Sequence, residues 1–116
     1  MIDIIKGASV ALALTLKDNN GDVIDPATAY NVIVELYPES THEVKAKYSV
    51  LDKTADGYEL AVISGNYVMV YVDETTTADL PIGKVVGKFT VSYTNADFPS
   101  GYEVIISRGA VLNVLP

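Results

Sequence analysis

An alternating stretch that runs into a tight turn constrains the fold more than any other part of this sequence. From Val10 to Leu16 every second residue is a large aliphatic one, and the positions between them carry small or polar residues. This period of two is typical of a strand with one buried face. Residues 19–22 (NNGD) tolerate positive φ, and the apolar run resumes at 23–24 before the Asp-Pro break at 25–26. The stretch therefore predicts a β-hairpin.

The same unit of strand and polar turn recurs to the end of the chain. Alternation predicts strands at 2–5, 8–17, 30–37, 42–51, 58–63, 67–72, 85–94 and 102–115. A polar loop is predicted at 73–77, although one helical turn fits 76–80. Arg108-Gly109 predicts a bulge or a bend in the last strand. Seven or eight short strands at this spacing predict an all-β fold, a single antiparallel β-sandwich domain spanning residues 1–116. A closed barrel is the alternative.

Four segments carry more specific expectations. Residues 30–37 are apolar on both faces, which predicts a central strand, whereas residues 42–51 divide cleanly into an apolar and a wet face. The strands at 58–63 and 67–72 are joined by Ser-Gly-Asn and are predicted to form a hairpin. The C-terminal run AVLNVLP (110–116) is predicted to be buried, either in the core or against a neighbour.

Composition and charge exclude several classes of function. The 116 residues include 8 basic and 15 acidic ones, a net charge of −7, which repels phosphate backbones and anionic lipid surfaces. We therefore expect neither nucleic acid nor a membrane as partner. Lys6 and the run that follows it resemble a short secretory signal, but Asp3 and the alternation argue against one. The absence of cysteine excludes disulfides and thiolate chemistry.

The sequence contains no pattern that selects a catalytic or metal site. The single histidine, His42, is predicted to be a solvated turn residue. Asp18, Asn20 and Asp22 have the spacing that opens a calcium loop, but the required glycine is misplaced and Ala29 stands where a bidentate Glu belongs. There is no nucleophile elbow, phosphate loop or nucleotide fingerprint. We predict a protein that is not an enzyme, with no catalytic, cofactor-binding or metal-binding residues and no cofactor.

Tyrosine is the one enriched side chain. Its rigid amphipathic ring suits protein interfaces and sugar-binding platforms, but it also has high strand propensity, which explains the enrichment without any function. The eight tyrosines are at positions 30, 37, 48, 58, 67, 71, 93 and 102.

The strand pattern and its turns resemble the immunoglobulin-like sandwich modules of tailed-bacteriophage structural proteins. Modules of this type occur at the front of baseplate upper proteins and in capsid decoration and head-fibre proteins. Three segments carry the resemblance: the opening IIKGASVALALTLKDNNGDVID, the Gly65-Asn66-Tyr67 hairpin, and LPIGKVVGKFTVSY followed by DFPSG. The sequence lacks the two cysteines and the core tryptophan of antibody domains.

This resemblance implies a non-enzymatic virion protein with an immunoglobulin-like sandwich fold, assembled in the host bacterial cytoplasm. The leading expectation is an auxiliary capsid or decoration protein that binds the major capsid protein through an edge strand or a tyrosine-bearing face. A tail, baseplate or head-fibre adaptor is the alternative within the class. The resemblance also leaves open whether the chain forms a homo-oligomer. A carbohydrate-binding adhesion module would instead present coplanar aromatic rings or bound calcium, and a glycan-active enzyme two carboxylates facing across a groove.

Overall fold

A computed structural model of the chain describes residues 1–18, 20–50 and 58–116. Within these ranges most of the regular structure is β-strand, which confirms the all-β prediction. The strands are β1 (Ile2–Ile5), β2 (Val10–Leu14), β3 (Leu16–Lys17), β4 (Val23–Ile24), β5 (Asn31–Pro38), β6 (Ala46–Ser49), β7 (Tyr58–Leu60), β8 (Val62–Ser64), β9 (Tyr67–Val72), β10 (Gly83–Thr94) and β11 (Tyr102–Leu115). A 3-10 turn (Pro26–Thr28) and a short helix, α1 (Glu74–Asp79), accompany them.

The described strands form three sheets. The large sheet has the order β1-β11-β10-β5-β6-β7, the small sheet has the order β2-β9-β8, and β3 and β4 form the predicted hairpin. The position of β5 between β10 and β6 confirms it as a central strand. The prediction of a purely antiparallel fold is wrong, because β1 runs parallel to β11 and β6 runs parallel to β7. Neither pair has the two-residue spacing of a tight hairpin in the sequence, so nothing local reveals the direction of pairing.

The large and small sheets bury one common core. Leu12 and Val70 of the small sheet belong to the same buried cluster as Val34, Val91 and Leu112 of the large sheet. The predicted alternation is followed on β10, which turns every second side chain into this cluster. Each fully buried aliphatic side chain contributes about 1.5–3 kcal/mol through removal of apolar surface from water. The core is therefore what holds the two sheets together.

The C-terminal strand enters the core, as predicted. Leu112 and Val114 are fully buried, whereas Ala110 is exposed. The bulge lies at Val111 and not at Arg108-Gly109, because the register passes from Val86 opposite Ala110 to Val85 opposite Leu112. A Cβ atom on Gly87 would lie 3.1 Å from Cγ1 of Val111, so the bulged side chain occupies space that glycine leaves open.

The strand predicted at 42–51 is shorter than expected. It is present only as β6, its end at Leu51 lies outside the described residues, and His42 precedes it with φ at 59°. The predicted wet face is wrong at Ser49, which is buried and whose hydroxyl donates to Oδ1 of Asn31 at 3.1 Å. Ser49 tolerates burial because a neighbouring strand supplies an acceptor.

The segment predicted as one strand at 58–63 divides between the two sheets. Residues before Ala61 form β7 in the large sheet, and residues after it form β8 in the small sheet. Ala61 itself is buried, and its N–H donates to the carbonyl of Ser49 at 2.9 Å. The predicted hairpin therefore consists of β8 and β9 alone, joined by a turn in which Gly65 has φ at 58°.

Helix α1 replaces most of the loop predicted at 73–77. Asp73 caps the helix, since its Oδ1 accepts a hydrogen bond from Thr76 N at 2.8 Å, and this bond lowers the pKa of the Asp73 carboxyl. Thr77 is fully buried and donates its hydroxyl to the carbonyl of Ala8 at 2.8 Å. The helix is thus fixed to the segment that leads into β2.

Burial of Tyr48 makes the fold sensitive to alkaline pH. Burial, followed by the negative charges of Asp73 and Glu59, raises the pKa of Tyr48 to about 12 from an ordinary value of 10.0. Because the folded pKa is the higher one, the associated stability is complete below about pH 10 and is lost as the pH rises towards 12. We expect the melting temperature of the native chain to fall more steeply over this range than that of Tyr48→Phe. Equal slopes in a series of thermal melts would contradict this account.

Candidate interaction surface

The outer face of the small sheet brings two tyrosines together with small and apolar residues. The register places Ala11 opposite Tyr71, and places Met69 between Ala13 and Val62. Tyr67 lies opposite Ser64 at the hairpin end of the same face. We call this surface the tyrosine face, and it consists of Ala11, Ala13, Val62, Ser64, Tyr67, Met69 and Tyr71.

The tyrosine face is well exposed and carries no charge. The exposed fractions are 61% for Tyr71, 49% for Tyr67 and 44% for Val62. Exposed apolar residues are common on protein surfaces when they stand singly, whereas a contiguous group is typical of an interaction site. The small side chains of Ala11 and Ala13 leave the backbone of β2 open to close approach. The face can therefore bury aromatic surface while the tyrosine hydroxyls bond to a partner.

The outer face of the large sheet has a different character. One row across it is charged, with Lys88 placed between Arg108 and Glu35, and Lys47 next to Glu35 on β6. The Nζ atom of Lys47 also lies 5.6 Å from the centre of the Tyr58 ring. A row of this kind keeps a sheet face hydrated, so the two outer faces of the protein differ in charge as well as in size.

Acidic residues border one end of the tyrosine face. A depression of about 320 Å³ is lined by Tyr71 together with Ser9, Ala11, Asp73 and Glu74. The Asp73 carboxylate is already engaged as the cap of α1. A partner that covers Tyr71 would therefore meet negative charge at this border, which favours a basic residue at the matching position.

The remaining tyrosines do not extend this surface. Tyr37 and Tyr48 are buried, which fits the strand-propensity explanation of their presence. Tyr30 and Tyr102 contact each other across the large sheet, with ring centres 5.1 Å apart. A hydrogen bond with Tyr30 raises the pKa of Tyr102. The eight tyrosines are thus divided between the core, this pair, the tyrosine face and Tyr58, whose ring faces Lys47.

Asp18 and His42, which the sequence offered as candidate site residues, both lie in turns. Oδ1 of Asp18 accepts hydrogen bonds from the N–H groups of Asn20 and Asp22, at 2.9 and 3.0 Å, which closes the hairpin turn. Asn19 lies outside the described residues. His42 is an exposed turn residue, as predicted, with its ring centre 5.7 Å from that of Tyr37. Among the described residues, no three side chains of His, Cys, Asp or Glu are placed to hold a metal ion together.

Several features of the described residues bear on the carbohydrate alternatives. Asp73 and Glu74 both line the depression beside Tyr71, and they are adjacent in the chain. The rings of Tyr30 and Tyr102 are tilted by 42°, so they do not form a coplanar platform. Tyr67 and Tyr71 lie about 13 Å apart along one strand, too far to stack on a single sugar ring. A groove of about 340 Å³ between β2 and β11 is lined by Leu14, Phe89 and Arg108 among others, and by no carboxylate.

Comparison with known protein families, with curated proteins and with solved structures gives no match for this chain. The described helices include none that is long and apolar enough to cross a membrane. What the chain can do is therefore inferred from its own surfaces.

A tyrosine-bearing face was expected from the sequence, but its position was not. The sequence of β2 already shows an uncharged face, because Ala11 and Ala13 alternate with buried leucines. The sequence of β2 does not reveal which strand lies beside it, because β2 and β9 pair residues about sixty positions apart. Only the register shows that Tyr71 and Met69 share the face of those alanines.

Proposed function

We propose that the two main sheets form an immunoglobulin-like β-sandwich. In variable-type immunoglobulin domains, strands B, E and D lie in one sheet, and strands G, F, C, C′ and C″ form the other. The order β2-β9-β8 follows the first arrangement, and the order β11-β10-β5-β6-β7 follows the second. There are two departures: β1 lies beside β11 and not beside β2, and β7 runs parallel to β6 although the sheets of that fold are antiparallel. This strand order supports the fold expected from the sequence resemblance.

We further propose that the protein is a non-enzymatic structural component of a bacteriophage virion, an auxiliary capsid or decoration protein. It binds the shell through the tyrosine face, and the major capsid protein is the partner. The observation that carries this proposal is the absence of charge from the tyrosine face of a chain whose net charge is −7. A surface kept free of charge on such an acidic protein is suited to be covered.

The dimensions of the tyrosine face favour binding to a repetitive surface. Three strands spaced about 4.8 Å apart, of five, six and three residues, give a footprint of at most roughly 14 by 17 Å. Stable interfaces bury about 800 Å² per partner, which is several times this footprint. One face alone would therefore bind weakly, and a capsid that presents many identical sites compensates for weak binding when copies engage together.

Other virion components remain candidates for the same face. A tail, baseplate or head-fibre protein with an apolar strip and a basic residue at the matching border would fit as well, and the adaptor role is the alternative within the class. Folding without disulfides agrees with assembly in the reducing cytoplasm of a bacterial host.

Co-sedimentation with shells stripped of their decoration proteins tests the proposed function. We expect the purified chain to pellet with undecorated shells, to saturate at a fixed number of copies per capsid subunit, and to remain in the supernatant with decorated shells. The same preparation is applied to a glycan array. Binding to polysaccharide without binding to shells would favour the adhesion module and contradict the proposal.

A further inference from the structure

The longest unpaired strand edge in the described structure belongs to β11. On one side this strand pairs with β10 along its whole length, but on the other side β1 covers only residues 112–115. The N–H of Asn95 donates to the carbonyl of Gly101, which fixes the alternation of the ladder between β10 and β11. It follows that Tyr102, Val104, Ile106 and Arg108 direct their backbone N–H and C=O groups away from β10, towards the open edge.

This edge is only weakly protected against pairing. Natural edge strands are shortened, bulged, or marked by proline or charged side chains, lysine above all. The segment from Tyr102 to Arg108 contains neither lysine nor proline, its two charged residues are Glu103 and Arg108, and the bulge at Val111 comes after it. Val104 and Ile106 are each 51% exposed. By contrast, the other edges of the two larger sheets are formed by strands of three to five residues.

We propose that the open edge of β11 pairs with the same edge of a second copy of this chain. The two strands run antiparallel about a two-fold axis at Ile105, which joins the two large sheets into one continuous sheet. This pairing depends only on the geometry of β11 and does not rest on the proposed virion function.

We place the axis at Ile105 because the side chains that then face each other across the two strands are complementary. Val104 lies opposite Ile106 of the second copy, so two exposed apolar side chains cover each other on each side of the axis. Tyr102 lies opposite Arg108 of the second copy, a pairing of an aromatic ring with a guanidinium group. Moving the axis by one residue to Ile106 would place Val104 opposite Arg108 instead, which loses both matches.

The symmetry of this dimer has a consequence for the tyrosine face. A two-fold axis perpendicular to the joined large sheet leaves both small sheets on the same side of it. Both tyrosine faces then point in one direction, and two weak sites can engage one surface together.

Light scattering on the purified chain tests the pairing. We expect the native chain to have about twice the monomer mass of 12.4 kDa, and Ile106→Lys to have the monomer mass, since a lysine at the edge opposes strand addition. Ile82→Lys is the matched control, because Ile82 is 58% exposed and lies outside β11, and it should stay dimeric. A monomeric native chain, or a folded Ile106→Lys that remains dimeric, would overturn the proposal.

Cross-linking tests the register and needs no disruptive substitution. The chain contains no cysteine, so one introduced cysteine reports on one position. Ile105 would face its own symmetry mate in a non-hydrogen-bonded pair, with Cα atoms about 4.5 Å apart, within the range of a disulfide. We expect Ile105→Cys to form a disulfide-linked dimer under mild oxidation and Ile82→Cys to remain reduced. Failure of Ile105→Cys to cross-link, or equal cross-linking of both variants, would overturn the axis at Ile105.

Discussion

Truncation after Arg108 is expected to unfold the protein. The deletion removes Leu112 and Val114, which are fully buried, and it removes the only described strand that pairs with β1. Loss of one large aliphatic side chain from a core costs about 2–5 kcal/mol, and a domain of this size has a total stability of about 5–15 kcal/mol. Two such losses together with the lost β1 pairing exceed what the rest of the fold can offset. Far-UV circular dichroism should show no cooperative thermal transition.

Two milder variants show whether the truncation acts through the core. Deletion of Pro116 alone should leave the transition unchanged, because this residue is exposed and follows the end of β11. Leu112→Ala should keep a cooperative transition while lowering the free energy of unfolding by about 3 kcal/mol. A truncated chain that melts cooperatively at the native temperature would show that the C-terminal strand does not complete the core.

Tyr71→Lys is expected to abolish binding to the shell without unfolding the protein. Tyr71 is the most exposed tyrosine and lies opposite the small side chain of Ala11, so the fold tolerates the change. Covering the introduced ammonium group costs desolvation energy, and the basic residue expected on the partner opposite Asp73 and Glu74 would repel it, which weakens binding about a hundredfold or more. Co-sedimentation at increasing shell concentration measures the loss.

Phe98→Lys is the matched control for this substitution. Phe98 is an aromatic residue of similar exposure in the turn between β10 and β11, away from the small sheet. It should bind shells as the native chain does, and both variants should melt close to the native temperature. Shell binding by a folded Tyr71→Lys that equals native binding would exclude the tyrosine face as the contact.

Alternation in the sequence was sufficient to predict most strands but not how they pair. The strand predicted at 85–94 and the C-terminal strand were confirmed because a period of two runs through β10 and through β11 on both sides of its bulge. The switch of sheets at Ala61 was missed, since residues 60–63 form one uninterrupted apolar run and the constraint is a hydrogen bond to Ser49 on another strand. The parallel pairs were missed for the same reason, because their partners are set by tertiary contacts.

Helix α1 and the tyrosine face were also only partly predictable, because each depends on contacts between segments that are far apart in the sequence. Residues 73–77 were predicted to form a loop because all five are polar, and threonine also has low helix propensity. The cap formed by Asp73 and the buried hydroxyl of Thr77 outweigh that preference. Likewise, the alanines of β2 could be recognised as an uncharged face, but the tyrosines that complete it come from β9 and become visible only through the register.

Tyrosine nitration on shell-bound protein would test the central claim most directly. In the free protein, Tyr71 and Tyr67 are exposed and should react, as should Tyr30 on the large sheet. If the tyrosine face is the contact, Tyr71 and Tyr67 become protected on the shell while Tyr30 keeps its reactivity, and peptide mass spectrometry resolves the three positions. Unchanged nitration of Tyr71 on bound protein would contradict the account and place the contact on another surface.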